Sequence, residues 1–321
     1  MAQRAKSCKW REDLRHPSRY NLRLHLSPLN SIQAMKKLLS LLLLLAASSC
    51  TSETEANSAE LRFSAIPDQN STELVEKYSQ IAAYLEGELG IPVTYVPSSD
   101  YSASVEAFKS GDVQLAWFGG LTGLRARAAV PGARAIAQGT VDPNYKSYFI
   151  AHKDTGLSPA ADFPKGLAGK TFTFGSESST SGRLMPEYFI RQETGQSPQE
   201  FFAGEEMSFS GDHSKTAALV NAGTYQGGAV NYKVYNAMVA EGKIDPAVCV
   251  KLWETPGYPD YNWTAHPDLG EEMIGKLQAA LIGMEDPALL KALQRPEGII
   301  EATNADFAPL EDLARELGLL R

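Results

Sequence analysis

Cysteine is scarce in this 321-residue sequence, which contains only Cys8, Cys50 and Cys249. The first two precede the region with a core pattern, so no disulfide is expected inside the folded region. Cys249 lies between two valines and is predicted to be a buried core residue. No spacing of Cys or His is typical of a zinc site, and the sequence predicts no metal and no other cofactor.

Basic residues are few beyond the N-terminal segment. Residues 1–37 contain nine Lys or Arg, whereas from residue 38 onward the chain has 21 basic and 36 acidic residues. Because this excess of negative charge repels polyanions, nucleic acid and an anionic membrane surface are excluded as partners of the folded part. A small anion would have to be bound by local hydrogen bond donors, since the overall field opposes it.

The sequence lacks internal repeats and the common catalytic or nucleotide-binding motifs. It contains no G-x-x-x-x-G-K, no G-x-G-x-x-G and no G-x-S-x-G. Ser181, Asp212 and His213 are the residue types of a hydrolytic triad, but an aspartate adjacent to the histidine in sequence is poorly placed to orient that imidazole. The sequence therefore predicts a binding protein rather than an enzyme.

No apolar run is long enough to cross a bilayer stably. The run MKKLLSLLLLLAASSC at 35–50 combines two lysines, leucines and small residues, which is typical of a secretion signal. It resembles a bacterial lipoprotein signal in which Cys50 is lipidated, although Ala47 stands where Leu is usual, so export is better supported than lipidation. We expect 51–60 to be a linker and 1–34 to be a basic extension that is unstructured or lies upstream of the natural start.

From residue 61 the pattern alternates between strands and helices. The first half predicts strands at 61–66, 93–96, 113–118 and 133–138. Between these strands it predicts a first helix that ends at 89 and two more helices, at 102–109 and 121–129. The second half predicts strands at 146–151, 170–174, 207–210, 228–230 and 248–254, helices at 183–193, 214–222 and 232–241, and a mostly helical end. This alternation indicates two α/β lobes joined by two crossing strands, with lobe I at 61–147 plus 236–321, lobe II at 148–235 and a ligand cleft between them.

One stretch of the second half, TFTFGSESSTSGRLMP at 171–186, has a pattern typical of an anion site. A short apolar strand leads through Ser179, Thr180 and Ser181 into a helix, so backbone N–H groups and hydroxyls converge at a helix N-terminus. Arg183 lies in the first turn, where a cation is unfavourable unless an anion is nearby. The alternative is an ordinary Ser/Thr helix cap.

Several separated motifs resemble one family of transport proteins. They are DYSASVEAFKSGDVQLAWFGG at 100–120, SYFIAH at 147–152, SESSTSGRLMPEYF at 176–189 and GGAVNYKVY at 227–235. In this order they resemble the solute-binding proteins of phosphonate, phosphite and related oxyanion ABC importers. SAIPDQN, VPGARAIAQGT and WTAHPDL are similar to a subgroup described as selenate-binding. The resemblance spans 61–320 and implies the two-lobed type II periplasmic binding fold, which closes on its ligand by hinge motion.

The resemblance also implies the ligand contacts. The family's Ser-Thr-Ser helix start falls on Ser179–Ser181, and Phe118 stands where the family often has Tyr. Asn231 replaces the Asp of a hinge Asp-Tyr pair, which counts against a ligand that carries an amine. Arg183, where an apolar or aromatic residue is common, would add a bidentate donor. The implied ligand-binding set is Tyr101, Phe118, Tyr148, Ser179, Thr180, Ser181, Gly182, Arg183, His213, Asn231 and Tyr232.

Each of these residues also has a purely structural interpretation. Tyr101 and Phe118 would pack within the first lobe, and Arg183 would pair with Glu187 four residues along the same helix. His213 would be a cap neighbour, and Asn231 a turn residue. The two remaining tyrosines would lie on the crossings, where they either pack at the hinge or point a hydroxyl into the cleft; they are Tyr148 and Tyr232.

The sequence therefore predicts an exported solute-binding component of an ABC importer. We expect it to be a monomer, periplasmic or anchored through Cys50, that binds a small tetrahedral oxyanion and delivers it to a membrane permease and its ATPase. The anion would be selenate or sulfate-like, or a phosphonate or phosphite. An organic phosphonate as ligand and a role as a sensor for a membrane kinase are the alternatives, and a serine hydrolase is the least favoured.

Overall fold

The computed structural model describes residues 60–320, so the predicted basic extension, the signal segment with Cys50 and nearly all of the linker lie outside the described residues. Eleven strands alternate with helices in this part of the chain. The strands are β1 (Leu61–Ala65), β2 (Val93–Tyr95), β3 (Leu115–Phe118), β4 (Arg134–Gly139), β5 (Ser147–His152), β6 (Thr171–Phe174), β7 (Ala203–Phe209), β8 (Gly227–Asn231), β9 (Cys249–Glu254), β10 (Asn262–Ala265) and β11 (Ile299–Glu301).

Helices cover the two sheets that these strands form. The α-helices of residues 60–320 are α1 (Ser71–Leu89), α2 (Tyr101–Lys109), α3 (Gly120–Ala129), α4 (Met185–Thr194), α5 (Pro198–Phe201), α6 (His213–Asn221), α7 (Tyr232–Ala240), α8 (Gly270–Ile282), α9 (Pro287–Ala292) and α10 (Ala308–Glu316). Asn70 and Asp100 cap α1 and α2 by accepting hydrogen bonds from the first backbone N–H groups, which explains why these helices begin there.

The strands form two mixed sheets, each the centre of an α/β lobe. The first sheet has the order β11-β4-β10-β3-β1-β2, and the second has the order β7-β6-β8-β5-β9. Strand β1 pairs in parallel with β2 and β3, and β6 pairs in parallel with β7 and β8. The predicted α/β fold of two lobes is confirmed. In this part of the chain no helix has both the length and the apolar character that a membrane span requires.

The C-terminal third departs from the prediction at two points. The end of the chain is mostly helical as predicted, but it also contains two short strands that the prediction omitted, β10 in the interior of the first sheet and β11 at its edge. Cys249–Glu254, which we assigned to lobe I, pairs with β5 in the second sheet. Sheet membership depends on which strands meet in space, and strand pattern alone does not encode that. We therefore propose 148–254 as the second lobe in place of 148–235.

The chain crosses between the sheets at 140–146, after β4, and at 255–261, after β9. Tyr145 and Tyr258 exchange backbone N–H···O bonds of 2.9 and 3.0 Å, so the two crossings form a short antiparallel ribbon. Arg295 pairs bidentately with Asp142 at 2.7 Å beside this ribbon. The second crossing follows β9, so it does not include Tyr232, which is the first residue of α7.

Candidate anion-binding site

The hydroxyl-rich stretch at 176–182, which we call the serine turn, lies between β6 and α4. Its last residues begin a five-residue π-helical turn, Thr180–Leu184, that continues into α4. Ser179 is its N-cap, and the Ser179 Oγ accepts a hydrogen bond of 2.9 Å from the Gly182 N–H. The first amides of such a turn have no acceptor within it. They are available to an anion together with the Ser179 and Ser181 hydroxyls, all of which are buried.

His213 lies directly against this turn. Its Nε2 is 3.3 Å from the Ser181 Oγ and 3.5 Å from the Ser179 Oγ. Burial lowers the pKa of His213 to about 3, so the imidazole is neutral at physiological pH. Its Nδ1 accepts the Asn231 N–H at 3.2 Å, which places the single ring proton on Nε2. His213 is therefore a neutral donor directed at the serine hydroxyls.

The same packing requires glycine at position 182. A Cβ atom there would lie 3.0 Å from both the His213 Cε1 and the Ser179 Oγ, and 3.1 Å from the Gly175 Cα. The backbone of the turn thus approaches the imidazole more closely than any side chain would allow. Gly182 belongs to the site through this close approach.

The first lobe closes over the turn at the N-termini of α2 and α3. Thr180 Oγ1 accepts the Leu121 N–H at 2.9 Å, and Ser178 Oγ is 3.1 Å from Ser102 Oγ. Tyr101 is buried with its side chain next to that of Ser179, and within residues 60–320 its hydroxyl makes no hydrogen bond of standard geometry. Burial raises the pKa of Tyr101, so this hydroxyl remains a protonated donor at all physiological pH values.

Asn231 joins the site to the hinge through hydrogen bonds in both directions. Its Oδ1 caps α7 by accepting the Val234 N–H at 2.7 Å, and its Nδ2 donates to the Tyr261 hydroxyl at 3.1 Å. Tyr261 in turn donates its only proton to Asp68 at 2.7 Å. An aspartate at 231 could not donate to Tyr261, so the network requires the amide.

Arg183 does not join this group. Its guanidinium pairs with Glu187, and it lies over the rings of Phe174 and Phe209 with centroid distances of 5.6 and 5.7 Å. Arg191 holds the other oxygen of Glu187 at 2.7 Å. Burial, and secondarily Arg191, lowers the pKa of Arg183 to about 10. The predicted bidentate contact with the ligand is replaced by the i, i+4 pair that was its alternative.

Three other predicted residues pack among aromatic rings. Phe118 is buried edge-to-face against Phe108. Tyr148 contacts Tyr232, at a centroid distance of 6.2 Å. Tyr232 also packs on Tyr145 at 4.8 Å. Lys251 and Lys233 lie over the rings of Tyr148 and Tyr232, respectively. These contacts place the three residues in the packing around the site and the hinge.

The sequence reasoning missed the second crossing, Tyr258-Pro-Asp-Tyr261. Asp260 Oδ1 accepts the Gly120 N–H at 2.8 Å, and the Asp260 carboxyl also faces the Thr180 hydroxyl. Tyr258 Oη is 2.6 Å from Ser147 Oγ, which donates to the Ser181 carbonyl at 2.7 Å. Two tyrosines and an acid within four residues were the available signal. Two other carboxylates near the serines are oriented elsewhere, because Glu177 is exposed and Asp212 is held by Lys215.

The hydroxyls of Tyr101, Ser179 and Ser181 and the His213 imidazole form a buried cluster of neutral hydrogen bond donors. Residues 60–320 contain no group of three His, Cys, Asp or Glu that could hold a metal ion. The Ser181–His213 pair is not arranged for hydrolysis, because Nε2 carries a proton instead of accepting one, and Nδ1 faces a backbone N–H rather than a carboxylate. The arrangement can bind an anion through hydrogen bonds.

Comparison with known proteins decides the family. A family model described as "ABC transporter, phosphonate, periplasmic substrate-binding protein" matches residues 63–307. The chain belongs to this family. Membership implies an exported protein that works with a membrane permease, and the relatives below are transport proteins rather than enzymes.

Two relatives illustrate the range of this family. The chain is 34% identical, over 83% of its length and 92% of the relative's, to a probable ABC transporter phosphite binding protein, PhnD1, of Prochlorococcus marinus. The structure of PhnD1 in complex with methylphosphonate matches 82% of this chain and 100% of its own, with a TM-score of 0.77. A phosphate-import protein, PhnD, of Mycolicibacterium smegmatis is 28% identical over 83% of this chain and 89% of its own. The periplasmic-binding-protein fold predicted from the sequence is thereby confirmed.

Proposed function

We propose that this protein binds a small tetrahedral oxyanion between its two lobes and delivers it to the permease of an ABC importer. The observation that carries this proposal is the His213 imidazole, held neutral with its Nε2 proton directed at Ser179 and Ser181. Buried neutral donors replace the hydration shell of an anion without adding a charge that must itself be buried. The unpartnered Tyr101 hydroxyl supplies a further donor from the first lobe.

Phosphite and methylphosphonate are our first candidates, and selenate and sulfate are the second. The first pair is supported by the names of the relatives. Selenate and sulfate are supported by the number of donors, since full dianions need donors alone. The neutral Asn231 argues against an aminoalkyl ligand.

The site can be tested with the double substitution Thr180→Ala plus Ser181→Ala. We expect a loss of anion affinity of about 30-fold or more by calorimetry, because one hydrogen bond from Ser181 to a charged group is removed, at about 1.5–3 kcal/mol, and the Thr180 contact with Leu121 that joins the lobes is lost as well. Thr194→Ala is the matched control, since its hydroxyl donates to the Ile190 carbonyl and accepts the Gln196 N–H at the far end of α4, away from the site. Unchanged affinity in a folded double variant would refute the site.

The ligand can be identified by a thermal-shift panel of phosphite, methylphosphonate, phosphate, selenate, selenite and sulfate. Binding to the folded state raises the unfolding temperature in proportion to the logarithm of ligand concentration over Kd. Stabilisation by none of the six anions would overturn the oxyanion assignment. Stabilisation only by a larger organic phosphonate would retain the site and change the ligand.

The cellular arrangement is a further part of the proposal. We expect a monomer on the periplasmic side, with lipidation of Cys50 where the signal at 35–50 is processed as a lipoprotein signal. Metabolic labelling with a fatty acid, compared between wild type and Cys50→Ser, tests the anchor. A permease and an ATPase encoded next to this protein would support the importer role, whereas a membrane kinase there would support the sensor alternative.

A further inference from the structure

Asp260 is a carboxyl on the second crossing that lies between Thr180 and the first lobe. Its Oδ1 accepts the Gly120 N–H at 2.8 Å at the start of α3. A Cβ atom on Gly119 would lie 3.2 Å from this Oδ1 and 3.3 Å from the Thr180 Oγ1, so these two oxygens face the same point. Asp260 therefore lies beside the Thr180 side chain, at the junction of the two lobes.

The two oxygens of this carboxyl are in unequal environments. Oδ1 accepts the Gly120 N–H, whereas Oδ2 is buried and has no hydrogen bond partner among residues 60–320. A buried oxygen that carries charge without a partner is costly, and protonation of Oδ2 removes that cost. Asp68 differs, because Tyr261 and Gln69 donate to its two oxygens at 2.7 and 3.3 Å.

The electrostatic surroundings do not compensate the charge of Asp260. The nearest guanidinium belongs to Arg295, which is already neutralised by its bidentate pair with Asp142. Burial raises the pKa of Asp260 to about 7, with Gly120 and Thr180 opposing the shift, Asp142 adding to it and Arg295 reducing it. The titratable and charged groups that interact electrostatically with Asp260 are Asp142, Arg295, Tyr101, Tyr145, Tyr258 and Tyr261.

We propose that Asp260 takes up a proton on Oδ2 when the anion binds, so that the closed site accommodates the ligand's negative charge without a cationic residue. This proposal rests on the proposed function and specifies how the same site handles charge. The proton comes from solvent, and its buffer base remains behind. An incoming anion next to a half-ionised carboxyl raises the affinity of that carboxyl for protons, and by reciprocity protonation strengthens anion binding.

The test is calorimetric titration of the wild type with phosphite, methylphosphonate and selenate at pH 8 in buffers of different ionisation enthalpy. The dependence of the observed enthalpy on the buffer gives the number of protons taken up. We expect uptake in the wild type to exceed that in Asp260→Asn by about one proton for the same anion. Anion affinity in the wild type should also fall more steeply above pH 7 than in the variant, by up to about tenfold per pH unit.

Two control variants make the outcomes unambiguous. Asp212→Asn changes a buried carboxyl held by Lys215 and is expected to keep the wild-type proton uptake. Loss of uptake in Asp68→Asn but not in Asp260→Asn would overturn the assignment. Equal proton uptake in the wild type and Asp260→Asn would also overturn the assignment. Absence of proton uptake in the wild type would overturn it as well, and that measurement does not depend on the folding of any variant. Failure of all three anions to bind the wild type would instead count against the proposed function.

Discussion

His213 shows how one buried side chain acquires a defined role from its neighbours. The Asn231 N–H occupies its Nδ1, and burial keeps the ring neutral, so the imidazole can only donate through Nε2. A charged imidazolium would attract an anion more strongly but would have to be buried when the site is empty. A neutral donor avoids that penalty in the unliganded protein.

The neutral state of His213 predicts a loss of stability in acid. Its pKa in the folded state, about 3, lies below its ordinary value of 6.5, so its contribution is complete above pH 6.5 and is lost as pH falls toward 3. Between pH 7.5 and 4.5 we expect the wild type to lose about 2–3 kcal/mol of unfolding free energy through this residue. Urea unfolding of His213→Gln at the two pH values should show that this component is missing.

Asp260 changes the free energy of unfolding with pH in the opposite direction. Its pKa is raised in the folded state, so the stability that it contributes at low pH is lost as pH rises toward about 7. The comparison is therefore between each variant and the wild type at the same pH. An equal acid loss in wild type and His213→Gln would contradict a neutral buried imidazole.

At the scale of elements, the junction between β6 and α4 carries the site. The π-helical turn Thr180–Leu184 presents its first amides and the Ser181 hydroxyl toward His213, while Pro186 is tolerated in the first turn of the following α-helix. The sequence indicated this junction because hydroxyl residues cluster between an apolar strand and a helical pattern. The orientation of the Arg183 side chain could not be predicted, because it had two possible favourable partners. These were Glu187 in the same helix and a bound anion.

The position of Arg183 predicts that it contributes to stability rather than to binding. We expect Arg183→Met to destabilise the protein by about 2–4 kcal/mol, since the buried Glu187 would keep only Arg191 as its partner. Anion affinity should stay within about threefold of the wild type. Urea unfolding and calorimetry on the same preparation measure the two effects.

Arg191→Met is the matched control, because it removes the more exposed partner of the same glutamate and should cost less than about 1 kcal/mol. A tenfold or greater loss of anion affinity in Arg183→Met, with the free energy of unfolding unchanged, would indicate instead that Arg183 contacts the ligand.

At the scale of the whole molecule, polar contacts across the cleft hold the lobes together around the site. Arg125 of α3 donates to the Ser178 Oγ at 2.5 Å and, through Nε and Nη2, to the Leu319 carbonyl at 3.1 and 2.9 Å. The C-terminal segment therefore supports the side chain that closes over the serine turn. A ligand that contacts both lobes would favour this closed arrangement by its difference in affinity for the closed and open forms.

Loss of the Arg125 contact should shift the equilibrium toward the open form. We expect Arg125→Ala to weaken anion affinity about tenfold, because part of the binding free energy is then used to close the lobes. The radius of gyration from small-angle X-ray scattering should increase for the unliganded variant and return to the wild-type value at saturating anion. Arg315→Ala, which removes an exposed pair with Glu311 on α10, should change neither quantity.

The sequence by itself determined the alternating α/β pattern and the serine turn, because helix periodicity and capping residues are local properties. Burial of Cys249 was predicted correctly for the same reason. Only the tertiary structure decided which sheet β9 joins, where the second crossing lies, that Arg183 faces Glu187 and that Asp260 lies beside Thr180. These facts depend on contacts between residues distant in the chain, whose free energies no local pattern records.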